Sequence, residues 1–168
     1  MAGMLGTVCQ ESSRYSQFWA DLLRLQRPAG LEIVTSLDGN LALSRNGLVR
    51  QFLASRCEWL VMIDDDHTCA ADWLLQKAAA PPLPLIGSVY LTRRPPFQPT
   101  LYGPPDDQGQ FLNLFLPDLP TTGLVPVYAC GASGLLVRRE VYAALDDPWY
   151  TFAAGNIGED LHFCHRAQ

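Results

Sequence analysis

The sequence predicts an α/β fold, with a mostly parallel central sheet flanked by helices. Short apolar runs alternate along residues 1–91 with segments whose apolar residues recur at helical spacing. Such strand–helix alternation implies neighbouring parallel strands joined by crossover helices. The length of 168 residues fits one domain, and an apolar content of 48% supplies material for a buried core.

Each element of this first part of the chain is expected from its own pattern. Helices are expected where apolar residues recur three or four positions apart, as Phe18, Leu22 and Leu25 do, until proline or glycine ends the pattern. Strands are expected where short apolar runs are rich in β-branched residues or alternate with polar ones. In chain order the predicted elements are strand Met4–Val8, helix Tyr15–Leu25, strand Leu31–Thr35, helix Leu43–Ser55, strand Glu58–Ile63, helix Asp72–Ala80 and strand Leu85–Leu91.

The second part of the chain has a different character. From Thr92 to Val125 prolines and glycines cluster without a clear period, which indicates a long excursion with a hairpin that forms a wall of an active site. Val127–Val137 is strand-like around its glycines, Glu140–Leu145 is a short helix, and Ile157–Ala167 is a last helical segment.

Charge and cysteine content exclude several classes of protein. The net charge of -5 and the pI of about 5.0 argue against an electrostatic grip on nucleic acid. A polyanionic phosphate ligand would then need a metal or local cations to offset the repulsion. The five cysteines are odd in number and show no CxxC spacing, so neither a zinc ribbon nor a disulfide framework is expected.

The sequence also bears on location. Its first residues lack the basic start and apolar stretch of a signal peptide, and no apolar run approaches the roughly 18 residues that span a bilayer. We therefore expect a cytoplasmic protein without a transmembrane segment. A homo-oligomer is compatible with the sequence.

The most informative stretch is WLVMIDDDH, Trp59–His67, in which three aspartates follow a buried strand. In open α/β sheets ligands bind beyond the carboxyl ends of strands, so the aspartates lie where a site is expected. Residues two apart on an extended segment point the same way, so Asp64 and Asp66 share one side and Asp65 faces another. Adjacent carboxylates repel one another unless a cation neutralises them. The pattern predicts a Mg²⁺ or Mn²⁺ site whose open positions take phosphate oxygens.

Two alternatives remain open for the aspartates. One is a solvated acidic turn or helix cap, because aspartate is favoured before a helix such as Asp72–Ala80, although capping accounts for one aspartate better than for three. The other is a different register, in which Asp65 and His67 present two ligands to one ion.

The ordered set of motifs resembles the glycosyltransferase-A superfamily, in particular its small family-2-like members. The motifs are LALSRNGLVRQFLAS at Leu41–Ser55, DDD at Asp64–Asp66, VYACGASGLLVRREVY at Val127–Tyr142 and GEDLHFCHRA at Gly158–Ala167. The resemblance covers most of the chain and implies a single Rossmann-like domain over residues 1–168. Residues 1–91 would form its nucleotide-sugar-binding half, and residues 92–168 its acceptor and catalytic half.

The resemblance also implies a chemistry, namely transfer of a sugar from a UDP- or GDP-sugar to an unknown hydroxyl acceptor. Asp64 and Asp66 would bind Mn²⁺ or Mg²⁺, and Asp64 and Asp65 would contact the donor. Glu159 and Asp160 would be the catalytic carboxylates, with Asp160 as general base; helix-start electrostatics also accounts for this pair. Most members continue further after this motif, so the histidine that some add to the metal is expected among the last residues, at His162.

Further donor contacts are expected on the ligand side of the sheet, although each of these residues also fits a plain structural role as a loop, turn, helix-face or bulge residue. The candidates are Gln10, Asp38, Arg45, Asn46, Arg93, Gly131 and Ser133. Trp149 and Tyr150 precede the GEDLHFCHRA motif and would either stack on a sugar or pack in the core.

Two other functions fit part of the same evidence. A nucleotidyltransferase also places acidic metal ligands on an α/β sheet, but it usually carries a glycine-rich phosphate loop after the first strand, and Gln10–Ser13 contains no glycine. A non-catalytic module would bind a nucleotide-sugar without turning it over.

Overall fold

A mixed five-stranded sheet forms the centre of the structure, which is a computed structural model describing residues 2–8, 16–36, 40–92, 94–155 and 157–168. Its strand order is β2-β1-β3-β8-β4. The strands are β1 (Gly3–Val8), β2 (Glu32–Ser36), β3 (Trp59–Asp64), β4 (Leu85–Ile86) and β8 (Leu136–Arg138). β1 is parallel to both β2 and β3, whereas β8 is antiparallel to both β3 and β4.

A smaller antiparallel sheet lies in the second part of the chain, with the order β6-β5-β7. Its strands are β5 (Leu101–Pro105), β6 (Phe111–Asn113) and β7 (Ala129–Cys130). β5 and β6 form a hairpin whose turn contains Gly109 at a φ of 78°, a conformation that glycine adopts without steric cost. The hairpin expected between Thr92 and Val125 is therefore confirmed.

Helices cover both faces of the five-stranded sheet. They are α1 (Ser16–Arg24), α2 (Leu41–Ala54), α3 (Trp73–Ala79), α4 (Arg139–Ala144) and α5 (Glu159–Arg166), together with a 3₁₀ turn at Leu116–Asp118. α2 begins at Asn40, whose side chain accepts a hydrogen bond of 3.1 Å from the amide of Leu43 and so caps the helix. None of the helices in the described part of the chain is both long and apolar enough to cross a bilayer.

The core follows the alternation of side chains along the strands. In β3, Leu60 and Met62 point to one face, where they pack with apolar residues of α2, α4 and α5. Trp59, Val61 and Ile63 point to the other face, where α1 and α3 cover them. Both faces of this strand are thus buried, which explains why WLVMI, Trp59–Ile63, is a continuous apolar run rather than an alternating one.

The structure confirms a mostly parallel sheet and corrects two expectations about its strands. β1, β2, β3 and β4 run in the same direction, whereas β8, which lies between β3 and β4, is antiparallel to both. The strand expected at Leu85–Leu91 is regular only over Leu85–Ile86. The stretch Val127–Val137 is not one strand but two, since β7 and β8 belong to different sheets. The α/β class is confirmed, and residues 92–168 supply a strand to the same sheet as residues 1–91.

Candidate metal centre and active site

The end of β3 brings three potential metal ligands together. One ligand atom each from Asp64, Asp66 and His67 lies within 4.8 Å of the others. A turn produces this arrangement, because the amide of His67 donates to the carbonyl of Asp64 over 3.2 Å directly after the strand. The two-residue spacing predicted that Asp64 and Asp66 would meet, but the turn adds His67, which sequence reasoning had considered only together with Asp65.

Backbone contacts fix where this turn begins. Val8 and Asp64 are register partners at the carboxyl ends of the parallel strands β1 and β3. The amide of Asp65 donates to the carbonyl of Val8 over 3.2 Å, and the amide of Asp64 donates to the hydroxyl of Ser133 over 3.1 Å. The cluster therefore lies at the carboxyl edge of the sheet, where ligands bind in open α/β folds.

The two oxygens of Asp64 have different surroundings. Oδ2 accepts a hydrogen bond of 3.1 Å from Nη2 of Arg45. Oδ1 is buried and has no hydrogen-bond partner within the described ranges. A buried carboxylate oxygen that no donor satisfies is costly unless a cation coordinates it, so the arrangement suits a metal ion.

His67 is held beside the carboxylates by an aromatic contact. Its Nδ1 lies 2.9 Å from Oδ1 of Asp66, and its ring meets the ring of Tyr90 edge-to-face with centroids 4.5 Å apart. Burial lowers the pKa of His67; Asp64 opposes this effect and Arg45 adds to it. A lowered pKa favours the neutral imidazole, which is the form that binds metals.

Arg45 connects the aspartate cluster to α5. It lies on α2 with 2% exposure, and its Nε donates to Oε1 of Glu159 over 3.1 Å while its Nη2 contacts Asp64. Burial lowers the pKa of Arg45, but the carboxylates of Asp64 and Glu159 outweigh it and raise the pKa overall. The guanidinium of Arg45 is thus a shared counter-ion for two acidic motifs, and its contact with a nucleotide stays a prediction.

Asn46 also has a structural position rather than a donor-facing one. Its Nδ2 donates to the carbonyl of Tyr150 over 2.8 Å, and its Oδ1 accepts from the amide of Tyr150 over 2.9 Å. With 2% exposure, the side chain ties the segment before α5 to α2. Trp149 and Tyr150 are buried in the same core, which selects core packing over sugar stacking for both.

The two acidic residues of α5 differ in their surroundings. Glu159 is 4% exposed and paired with Arg45, and burial raises its pKa. Asp160 is only half-buried, and its Oδ1 accepts a hydrogen bond of 2.8 Å from the amide of Leu161. Burial raises the pKa values of Tyr90 and Tyr102, and the nearby charge of Asp160 adds to both shifts. Of the two, Asp160 is the carboxylate within reach of a ligand.

His162 lies outside the three-residue cluster. Its Nδ1 is 2.9 Å from both the hydroxyl and the carbonyl oxygen of Thr151. Among the residues that the structure describes, the histidine grouped with Asp64 and Asp66 is His67. The structure therefore groups His67, and not His162, with these two aspartates.

Gly131 and Ser133 support the site from the segment between β7 and β8. A Cβ atom on Gly131 would lie 1.8 Å from the hydroxyl oxygen of Tyr90, so glycine lets that tyrosine reach its position beside His67. Ser133 is 2% exposed and holds the amide of Asp64. Both residues thus contact other residues of the site, Gly131 at Tyr90 and Ser133 at Asp64. Gln10, Asp38 and Arg93 lie outside the described residues.

Comparison with known proteins informs the fold alone. No protein-family model matches the sequence, and no curated protein matches it. The chain is similar in structure to the crystal structure of A197 from STIV, with a TM-score of 0.67 and 17% sequence identity. The similarity covers 99% of this chain and 78% of that one. At this level of identity, the likeness shows a shared fold.

Proposed function

We propose that the chain is a metal-dependent glycosyltransferase of the GT-A type, which transfers a sugar from a UDP- or GDP-sugar to a hydroxyl acceptor. The observation that carries this proposal is the grouping of ligand atoms from Asp64, Asp66 and His67 within 4.8 Å at the carboxyl end of β3. The resemblance of the motif order to that superfamily, described above, supplies the reaction class.

The donor set favours Mn²⁺ over Mg²⁺ as the cation. Mg²⁺ prefers an octahedron of oxygen ligands and retains several waters, whereas imidazole suits transition metals better. Asp64 would supply Oδ1, Asp66 a carboxylate oxygen and His67 a ring nitrogen. A bound cation offsets the negative charge that develops on the departing diphosphate.

The residues of the chain account for the remaining requirements of the transfer. In this proposal Asp160, half-buried at the start of α5, accepts the proton of the acceptor hydroxyl as the oxygen bonds to the anomeric carbon and the diphosphate leaves with its electron pair. Glu159 and Arg45 keep α5 fixed against the metal site through their ion pair. The proposal thus gives Glu159 a positioning role and leaves the chemistry to Asp160.

The test separates metal binding from catalysis. We expect the wild-type protein to release nucleotide from a UDP- or GDP-sugar in the presence of Mn²⁺ and not in its absence. Asp66→Ala should lose Mn²⁺-dependent nucleotide binding, while Asp160→Ala should bind nucleotide normally and lose turnover. Asp107→Ala, which removes an exposed aspartate of the β5–β6 turn, is the matched control and should behave as wild type.

Two outcomes would contradict the proposal. Equal nucleotide binding by wild type and Asp66→Ala would remove the metal site from the donor pocket. Metal-dependent nucleotide binding without release from any donor would indicate the non-catalytic binding module instead.

A further inference from the structure

A cavity of about 830 Å³ lies beside the acidic site, enclosed by the end of β4, by β7 and by residues 119–128. Its volume falls within the 300–1,000 Å³ typical of small-molecule sites. The described residues that line it include no acidic or basic side chain, although 17% of the sequence is charged. Leucine, valine, proline and alanine supply most of the wall.

The mouth of the cavity is apolar as well. Leu83, Val89 and Leu124 line the cavity and are 43%, 59% and 54% exposed. Large apolar side chains grouped around an opening mark a place where an apolar ligand displaces water. No charged side chain of the described lining would pair with a phosphate or carboxylate, and burying an unpaired charge is strongly unfavourable.

Three pairs of residues connect this cavity to the acidic site. Val89 lines the cavity, and the next residue, Tyr90, packs on His67. Cys130 lines the cavity, and the next residue, Gly131, lies against the hydroxyl of Tyr90.

The third pair lies on α5. Cys164 lines the cavity four residues after Asp160 on the same helix. Side chains with this spacing are neighbours on one helix face, with Cβ atoms about 5–6 Å apart. The part of the cavity wall that Cys164 forms therefore lies about one helical turn from Asp160, the proposed general base.

We propose that this cavity binds the apolar chain of a lipophilic alcohol, and, resting on the function proposed above, that this alcohol is the sugar acceptor. Its chain occupies the uncharged cavity, and its hydroxyl end extends past Cys164 towards Asp160. In the transfer, the alcohol oxygen forms a bond to the anomeric carbon, the bond from that carbon to the diphosphate oxygen breaks, and the hydroxyl proton passes to Asp160.

A binding experiment tests the ligand class without relying on catalysis. The uncharged fluorescent probe phenylnaphthylamine should bind the wild-type protein and be displaced by dodecanol. Leu124→Asp places a carboxylate at the mouth of the cavity and should weaken binding of both about tenfold or more. Leu112→Asp is the matched control, because Leu112 is 58% exposed and does not line the cavity. The affinity of this variant for the probe and for dodecanol should equal that of wild type.

Absence of probe binding, or equal affinity of wild type and Leu124→Asp, would overturn the cavity assignment. An equal loss in both variants would also overturn it, since it would show non-specific adsorption to apolar surface. Both variants carry their change at an exposed position, so each is expected to fold.

A kinetic experiment tests the acceptor role. With a donor that the enzyme hydrolyses, sugar transfer to dodecanol is expected, with KM for dodecanol raised in Leu124→Asp and unchanged in Leu112→Asp. Hydrolysis of the donor without transfer to dodecanol would overturn the acceptor role. If no donor is hydrolysed while the probe still binds, the proposed function fails and the acceptor role falls with it, whereas the ligand class of the cavity stands.

Discussion

Arg45 is the residue through which the two acidic motifs of the chain meet. Its guanidinium contacts Asp64 and Glu159 at 3.1 Å each, and all three side chains are largely removed from water. Burying charges is costly, and the cost is offset only while every partner remains in place. The stability of the site therefore depends on one cation on α2, whereas the two carboxylates come from β3 and α5.

Removal of the Arg45 side chain should therefore lower the stability of the folded protein. We expect Arg45→Ala to lower the free energy of unfolding by about 3–5 kcal/mol, because two buried carboxylates lose their counter-ion. Arg50→Ala, on the same helix, is the control: Arg50 pairs with Asp147 while both side chains are about half exposed, and such pairs contribute below about 1 kcal/mol. Urea denaturation measures both values. Similar losses in the two variants would show that the buried pairs do not carry this stability.

Individual residues of the site also show which parts of it a sequence pattern can predict and which it cannot. The spacing of Asp64 and Asp66 was enough to place them together, because it depends only on neighbouring backbone. The choice of His67 rather than His162 depends on the turn after β3 and on the contact with Tyr90. Arg45 is expected to face the ligand because the resemblance places it there, and only its long-range partners Asp64 and Glu159 explain its burial.

Elements were predicted with more success where their pattern is local. The periodicity of the first part of the chain located each described helix and strand within a few residues, apart from the shortened β4. The position of β8 between β3 and β4 is set by pairing between distant segments, which periodicity does not encode. The same limit applies to β7 and β8. The strand-like pattern of Val127–Val137 does not show that the stretch contains two strands of different sheets.

Lys77, the sole lysine of the sequence, joins two of these elements. It lies on α3, and its Nζ donates at 2.9 Å to each of the carbonyls of Ile86 and Gly87 at the end of β4. Burial lowers its pKa from 10.5 to about 8, and Cys130 opposes this shift. The charged ammonium is therefore less favourable in the folded chain than in the unfolded one.

This shift gives stability a definite pH dependence. Between pH values of about 8 and 10.5 the unfolded chain binds more protons at Lys77 than the folded chain does. The free energy of unfolding should therefore rise with pH across that window, by at most about 3 kcal/mol, whereas below it the cost of the buried charge is fully present. Denaturant titrations of wild type and Lys77→Met across this range check the sign. Subtracting the variant removes the contribution of other groups, and a difference that stays flat or falls with pH would contradict the shift.

At the scale of the whole molecule, the candidate site is assembled from distant parts of the chain. Asp64 is held by Arg45 in α2 and by Ser133 before β8, and Glu159 reaches it through Arg45. The next residue, Asp65, donates its amide to the carbonyl of Val8 in β1. The cluster therefore exists only when the sheet and both helices are in place. Residues 1–91 and 92–168 contribute to one site rather than to separable halves.

A site that exists only in the folded chain must couple metal binding to stability. A ligand that binds only the folded state stabilises it by about 2.7 kcal/mol at a concentration of 100 times its Kd. For a chain of 168 residues this corresponds to a rise in Tm of about 5–10 °C. We expect Mn²⁺ to raise the Tm by this amount, and Mg²⁺ to raise it less at equal concentration because His67 belongs to the donor set.

Calorimetry of two variants tests whether the Mn²⁺-dependent rise in Tm comes from binding at the candidate site. Asp66→Asn keeps the shape of the side chain and removes its charge, and it should lose most of the Mn²⁺-dependent rise. Asp107→Asn removes one negative charge from the exposed β5–β6 turn and should respond as wild type, which separates coordination from the general attraction of a cation to a protein of net charge -5. A rise of equal size in both variants would assign the stabilisation to that general attraction. In that case the turn after β3 would be a structural feature of the sheet edge and not a metal site. Coordination of the ion by Asp66 is what distinguishes a metal site from general attraction.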